Sequence, residues 1–260
     1  MATPTKLIQS LSGRALGPAT ANVPAGLGPI VPDLPAQQPN RNISLAGRYG
    51  SIVPISPAHA NDLWESLKVP DSANLFDYLF DEPYPSLDAL NSALATKATA
   101  SDTWTYAILR KSSSGPPKAV GMASLMRMDL PNRVIEVGSI LYTPTLQRTP
   151  CATEAMYLLA SYVFETLGFR RYEWKCNDLN TPSRRAASRL GFTYEGTFRQ
   201  HMIAKGRNRD TAWYSMLDGE WPTIKRGFQQ WLDPSNFDTE DKQKRKLEDC
   251  MAEVSTKFDA

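Results

Sequence analysis

Tyr142-Thr-Pro-Thr-Leu-Gln-Arg-Thr-Pro-Cys-Ala-Thr-Glu-Ala155 decides how the rest of this chain is read. It follows a strand-like apolar run, 133–142, and opens a stretch whose residues Ala155, Leu158, Leu159, Tyr162 and Val163 recur at helical spacing. Thr149 suits the N-cap, and Pro150 suits the first helical position, where its missing N–H would be unpaired in any case. The spacing predicts a helix over 150–167, ended by Gly168. A helix start presents unpaired N–H groups and a partial positive charge, which makes this turn a candidate anion cradle. Cys151, Ala152 and Thr153 offer backbone donors, the small side chains at 151 and 152 let an anion approach, and Gln147 and Arg148 lie in the entry loop. An ordinary capped helix explains the same letters.

A second stretch, Asn180-Thr-Pro-Ser-Arg-Arg-Ala-Ala-Ser-Arg-Leu-Gly-Phe192, repeats the Thr-Pro device. It predicts a helix over 182–190, capped by Thr181 and closed by Gly191. Strands are expected at 48–55, 104–109, 120–127, 133–142, 171–176, 194–204 and 211–217. Further helices are expected from Ser56-Pro57 to Leu67, over 86–99 and over 221–231, followed by a charged helical segment at 238–256. Antiparallel strands followed by strand–helix alternation point to a mixed α/β sheet.

The chain has 260 residues, 42% hydrophobic and 22% charged, enough for an ordinary soluble domain with extensions. A net charge of +2 gives no field that points to nucleic acid or a membrane surface. No apolar run approaches the ~18 residues of a membrane span. The three cysteines, Cys151, Cys176 and Cys250, and two histidines, His59 and His201, have no metal-ligand spacing and form no disulfide framework. That usage indicates a reducing, cytoplasmic setting. Residues 1–32 hold Lys6 and Arg14 but no acid, so a mitochondrial presequence is the alternative.

Gln147-Arg-Thr-Pro-Cys-Ala152 resembles the Gln/Arg-x-x-Gly-x-Gly/Ala signature of the GNAT superfamily, the Gcn5-related N-acetyltransferases. Pro150 stands where the first Gly is usual. The segment from Leu179 to Gly196 is similar to the ribosomal-protein N-acetyltransferase (RimJ/RimL-like) branch. The resemblance implies a GNAT fold of mixed α/β (α+β) class, with a mostly antiparallel mixed sheet of about seven strands flanked by about four helices. The chain then divides into a Pro/Gly/Ala-rich irregular extension (1–42), the GNAT domain (43–220) and a helical C-terminal extension (221–260). The resemblance also implies acetyl-coenzyme A as cosubstrate, no metal, and direct transfer in a ternary complex to a primary amine. That amine is a small molecule or a peptide N-terminus, and the protein a monomer or homodimer. A longer acyl donor and a non-catalytic acyl-coenzyme A-binding module are the rival readings.

Carried over residue by residue, the resemblance puts the oxyanion donor at Ile140, Leu141 and Tyr142 and the pyrophosphate at Gln147, Arg148, Thr149, Cys151, Ala152 and Thr153. Asn180 and Ser183 hold the cofactor arm, with Ser183 donating a proton to the departing thiolate, and Arg184 reaches a phosphate. The Tyr that serves as acid in many members falls at Ala187. Glu136 interrupts the apolar run Val134-Ile-Glu-Val137 and is the candidate general base; alternation places it on one face with Gly138 and Ile140. A Glu paired with Arg127 or Arg133 is the other reading. The acceptor side is expected at Phe76, Tyr78, Tyr84, Glu136 and His201, although the aromatics of 70–85 also suit a loop seated on the core. Arg199, His201, Lys205, Arg207 and Arg209 suit a basic rim facing an anionic substrate or acidic peptide, and a solvated hairpin tip explains the last three equally well.

Overall fold

A computed structural model describes residues 26–69, 72–112, 114–240 and 242–256. Most of the expected N-terminal extension therefore lies outside the described residues. The chain divides by contact at Leu34/Pro35, and residues 26–34 contain no helix or strand.

From Pro35 onward the alternating stretches pair into one eight-stranded sheet. Its strands are β1 (Leu45–Ala46), β2 (Gly50–Pro54), β3 (Thr103–Arg110), β4 (Lys118–Asp129), β5 (Val134–Tyr142), β6 (Arg171–Asn177), β7 (Thr193–Ala204) and β8 (Arg207–Leu217). The spatial order is β1-β2-β3-β4-β5-β6-β8-β7. Every neighbouring pair is antiparallel except β5–β6. That pair is parallel because α3 (Pro150–Ser161) carries the chain back across the sheet, as parallel neighbours require. The mixed, mostly antiparallel class is as the sequence implied, with two-residue β1 as the unforeseen eighth strand.

Alternation along the strands sends residues to two cores. Tyr106, Ile108, Leu125, Ile135 and Val137 pack with residues of α3, of α4 (Thr181–Arg189), of α5 (Trp221–Trp231) and of α6 (Leu247–Thr256). Ala107, Met122 and Leu141 face the other way, onto α1 (Ala60–Leu67) and α2 (Leu87–Thr99). Ser86 caps α2 by accepting from the Ala89 N–H at 3.1 Å. No described helix is long and apolar enough to cross a membrane.

Several local expectations are corrected. The helix predicted over 150–167 is α-helical only to Ser161, and Tyr162–Thr166 form a π turn before Gly168 at φ 73°. The cap of α4 is Asn180, whose Oδ1 accepts from the Ser183 N–H at 3.1 Å, so Thr181 is the first helical residue. The charged segment at 238–256 is helical only from Leu247, with Phe237 and Gln243 bridged before it. The β7–β8 hairpin turns tightly at Lys205-Gly206, which places 207–210 in the strand and buries Arg209.

One carboxylate ties the helix layer to the sheet edge. Glu154 of α3 is buried and accepts from the backbone N–H groups of Arg48 (2.6 Å), Tyr49 (2.8 Å) and Gly50 (2.9 Å). Gly47 leaves room for this contact, since a Cβ there would lie 2.3 Å from Glu154 Oε2. Removing a charged acceptor strands its buried donors. Glu154→Ala should lower unfolding free energy by about 3 kcal/mol in urea titration; a change below about 0.5 kcal/mol would show that the clamp contributes little.

Candidate active site

The β5–β6 ladder is short. It runs from Val134↔Arg171 to Val137↔Trp174 and stops, although β5 continues to Tyr142 and β6 to Asn177. Beyond Val137, β5 stays paired with β4 on one side, whereas β6 follows β8. The parallel strands therefore part, leaving residues 138–142 with a free backbone edge. A bulge accompanies the parting: Gly138 faces Ser124, Leu141 faces Met122, and Ser139 adopts φ 47°. The extra residue reverses the alternation. Ile135, Val137, Ile140 and Tyr142 all pack toward α3, so Ile140 does not share the Glu136 face that simple alternation assigned to it.

The start of α3 closes one end of this gap. Thr149 caps the helix, its Oγ1 accepting from the Ala152 N–H at 3.3 Å and donating to the Leu146 carbonyl at 2.6 Å. Ala152's N–H is thereby engaged. Arg148, held at φ 59°, and Thr149 make no backbone N–H bond to a described residue. Cys151 turns its side chain into the core, Sγ lying 3.9 Å from the Leu109 carbonyl, and burial followed by the Glu154 charge pushes its thiol up to about 12. Such a thiol is not a nucleophile near neutral pH.

Side chains draw the three expected segments together. Tyr142 Oη donates to the Ala152 carbonyl at 3.2 Å, and Gln147 Nε2 donates to the Tyr142 carbonyl at 3.1 Å. These bonds fasten Ile140, Leu141 and Tyr142 to the helix start. Arg189 of α4 donates to Thr153 Oγ1 at 3.0 Å and so links α4 to α3. At the head of α4, Ser183 Oγ accepts from Trp174 Nε1 at 3.0 Å. Trp174 is the last β6 residue before the parting, which puts the Ser183 hydroxyl beside the gap. The indole N–H occupies one lone pair, and the same hydroxyl also hydrogen-bonds the Cys176 side chain. Arg184 points elsewhere: it pairs with Asp178 at 2.9 Å and reaches Tyr214 Oη at 3.3 Å. Ala187 is fully buried, so no acid acts from that position.

On the opposite face of the sheet, Glu136 is 2% exposed. Both its oxygens accept from Arg127 Nη1, at 2.8 and 2.9 Å, and Lys175 Nζ lies 2.9 Å from Oε2. Arg127 reaches it because β4 is irregular there, with Arg127 at φ 49°. Lys175 also pairs with Glu173 at 2.7 Å and sits 3.9 Å from the Trp213 ring centroid. Arg171 continues the ladder to Glu173 (2.7 Å) and Glu195 (2.5 Å).

The expected acceptor residues separate into two groups. Phe76 is buried among Leu63, Leu67, Leu90 and Leu94 and meets Tyr84 edge-on at 5.6 Å, while Tyr78 is exposed on the same α1–α2 loop. His201 lies exposed on β7, its ring 5.7 Å from Phe198 and 5.9 Å from Trp213. A cavity of about 600 Å³ opens beside Phe198, Arg199, Gln200 and His201. Lys205 joins the groups by donating to the Phe76 and Asp81 carbonyls at 2.9 and 3.0 Å and pairing with Glu82 at 3.1 Å. Sequence reasoning missed Lys175 and Trp213, and left Arg209 between a basic rim and a solvated hairpin tip. The polar/apolar alternation of Arg171-Tyr-Glu-Trp-Lys-Cys176 was the available signal for the first. No cluster of described residues could hold a metal ion.

A mixed sheet whose two parallel strands part above a capped helix start defines a class of acyl-transfer fold, and the comparisons name it. The sequence matches the acetyltransferase (GNAT) domain family over residues 51–193, more than half of the chain, and the protein belongs to that family. The crystal structure of a GCN5-related N-acetyltransferase from Brucella melitensis is 43% identical with a TM-score of 0.80, covering 84% of this chain and 97% of that one. A Bacillus subtilis (strain 168) protein named "Putative ribosomal N-acetyltransferase YdaF" is 33% identical over 101 residues, 39% of this chain and 55% of that protein. An uncharacterized N-acetyltransferase, p20, from Bacillus licheniformis is 39% identical over 70 residues, 27% of this chain and 39% of its own length. The chain thus matches about half or less of these two relatives' lengths.

All three cysteines are buried. The folded protein should give almost no reaction with a thiol-specific dye at pH 8, and the full set of three thiols should appear only in denaturant. Rapid labelling of Cys151 in the folded state would contradict its placement in the core.

Proposed function

We propose that the protein transfers an acetyl group from acetyl-coenzyme A to a primary amine. The end of the β5–β6 pairing at Val137/Trp174 carries this reading, because it leaves a strand edge, a helix start and a serine hydroxyl around one gap. The fit to the cosubstrate is chemical. Arg148 and Thr149 have backbone N–H groups without described partners, and an anion is the natural ligand of N–H groups at a helix start. When bound, acetyl-coenzyme A supplies a thioester that is already activated.

The chain's own residues then have four tasks. Gln147, Arg148, Thr149, Cys151, Ala152 and Thr153 hold the diphosphate through the turn and helix start, Cys151 through its backbone. The free edge at Ile140, Leu141 and Tyr142 offers an N–H to the thioester carbonyl oxygen, where negative charge develops. Asn180 and Ser183 hold the arm, and Ser183 gives its proton to the departing thiolate, directly or through water. Glu136 orients the incoming amine from the opposite face and takes its proton, directly or through water. Its partners Arg127 and Lys175 fix the carboxylate's position.

A small-molecule amine is the acceptor proposed. A protein N-terminus is the second reading, favoured by the name of the Bacillus subtilis relative. Glu136→Gln and Ser183→Ala should each lower kcat, the former by about 10²-fold with little change in acetyl-coenzyme A Kd. Thiol release with an amine panel, together with calorimetric binding, checks this. Unchanged turnover in both variants would remove these residues from the mechanism. Tight binding without turnover by wild-type protein would favour a non-catalytic module.

A further inference from the structure

Arg209 is a buried cation without an ion-pair partner. It lies on β8 beyond the last β6 pairing, Asn177↔Thr211, and is 6% exposed. Other buried charges among the described residues are answered: Glu136 by Arg127 and Lys175, Glu173 by Arg171 and Lys175, Glu154 by three N–H groups. Arg209 forms no ion pair with a described residue. Its Nε donates to Thr211 Oγ1 at 3.3 Å, its guanidinium stands 5.0 Å from the Phe80 ring centroid, and the N–H groups on both Nη atoms bond no described residue. Burial, then the like charge of Arg127, lowers its pKa, against smaller opposing effects of Cys176 and Glu136. Its Nη atoms are not among the fully buried donors left without a partner, so they stay open to a ligand, and an anion is what a guanidinium pairs with most strongly.

The surroundings indicate which anion. Alternation puts Arg209, Thr211, Trp213 and Ser215 on one face of β8, the face that carries Lys175 and Glu173 on β6 and so Glu136 on β5. The helix start of α3 lies on the other face, so the anion is not the cosubstrate's diphosphate. Trp213 Nε1, on the same face, is a second buried donor without a partner. Lys205 holds the loop that carries Phe80, which fixes that ring against the guanidinium. A carboxylate matches a guanidinium through two parallel N–H···O bonds. Lys175, which pairs with Glu136, stands over Trp213, and Arg209 lies four residues along β8 from Trp213 on that same face.

We infer that the acceptor is a small amine bearing a carboxylate: Arg209 binds the carboxylate and the amine reaches Glu136 at the parting. This rests on the acetyl-transfer reading above. Arg209 is then the specificity-determining residue, and an uncharged or dicationic amine leaves its N–H groups unanswered.

The test pairs glycine, β-alanine, 4-aminobutyrate and L-glutamate with their carboxamides, adding 2-aminoethyl phosphate, a diamine and an uncharged tripeptide amide. Thiol release from acetyl-coenzyme A is read for wild type and Arg209→Met, and melting temperature is read with and without each compound. In wild type, at least one acid should exceed its carboxamide by about tenfold or more in kcat/KM, and that acid should raise the melting temperature. In Arg209→Met, both preferences should vanish while acetyl-coenzyme A binding is retained. Equal or better use of the carboxamides, diamine or tripeptide amide overturns the inference, as does an acid preference that persists in Arg209→Met. Preference for the aminoalkyl phosphate assigns the site to phosphate and overturns the carboxylate. Absence of both turnover and acetyl-coenzyme A binding defeats the acetyl-transfer reading instead. In that case the carboxylate-dependent melting shift in wild type, absent from Arg209→Met, still decides whether Arg209 holds a carboxylate.

Discussion

The site depends on a ladder that ends early. β5 and β6 share four residue pairs, from Val134↔Arg171 to Val137↔Trp174, and then diverge. A backbone edge stripped of its partner is a liability in most folds, since its N–H and C=O groups must be satisfied. Here the bulge at Ser139 turns the strand at the same point, so Ile140 and Tyr142 pack onto the α3 side while Glu136 faces the other. Two faces with different chemistry meet at one opening. One carries the helix start, Ser183 and the free edge. The other carries the charge ladder Arg127–Glu136–Lys175–Glu173–Arg171–Glu195.

Neither face is left loose. Glu154 pins α3 to the backbone at 48–50, Tyr142 and Gln147 tie the strand end to the helix start, and Arg189 joins α4 to α3. On the opposite side of the sheet, Lys205 clasps the α1–α2 loop with two carbonyl bonds and an ion pair. The charge ladder fixes the carboxylates by mutual pairing, since buried charges persist when each is hydrogen-bonded to an opposite one. Arg209 stands outside that pairing: it is buried yet forms no ion pair with a described residue.

Much of the sheet was legible in the sequence because its strands alternate cleanly and its helices start with strong signals. Ser86, Thr149-Pro150 and the Asn180-Thr-Pro-Ser183 start each produced the helix expected nearby. Misjudged features came from effects that local pattern does not carry. Asn180 displaced Thr181 as cap because its longer side chain reaches the Ser183 N–H. The bulge at Ser139 undid the simple alternation of Glu136 with Ile140, since a single extra residue changes the face of all that follow it. Arg209 stayed between a basic rim and a solvated tip because a tight two-residue turn cannot be told from a longer loop in a run such as Lys205-Gly-Arg-Asn-Arg-Asp210. The Glu136 pairing with Lys175 joins positions 39 apart in sequence, and only the parallel register brings them together.

The central claim is that the gap beyond Val137/Trp174 receives the cosubstrate. A crystal structure of the protein with acetyl-coenzyme A tests it most directly. The account predicts the diphosphate at 147–153, the thioester oxygen at a backbone N–H among 140–142, and the sulfur within hydrogen-bonding reach of Ser183 or one water from it. Density for the cosubstrate on the β7 side of the sheet, or a continuous β5–β6 ladder closing the gap, would contradict it.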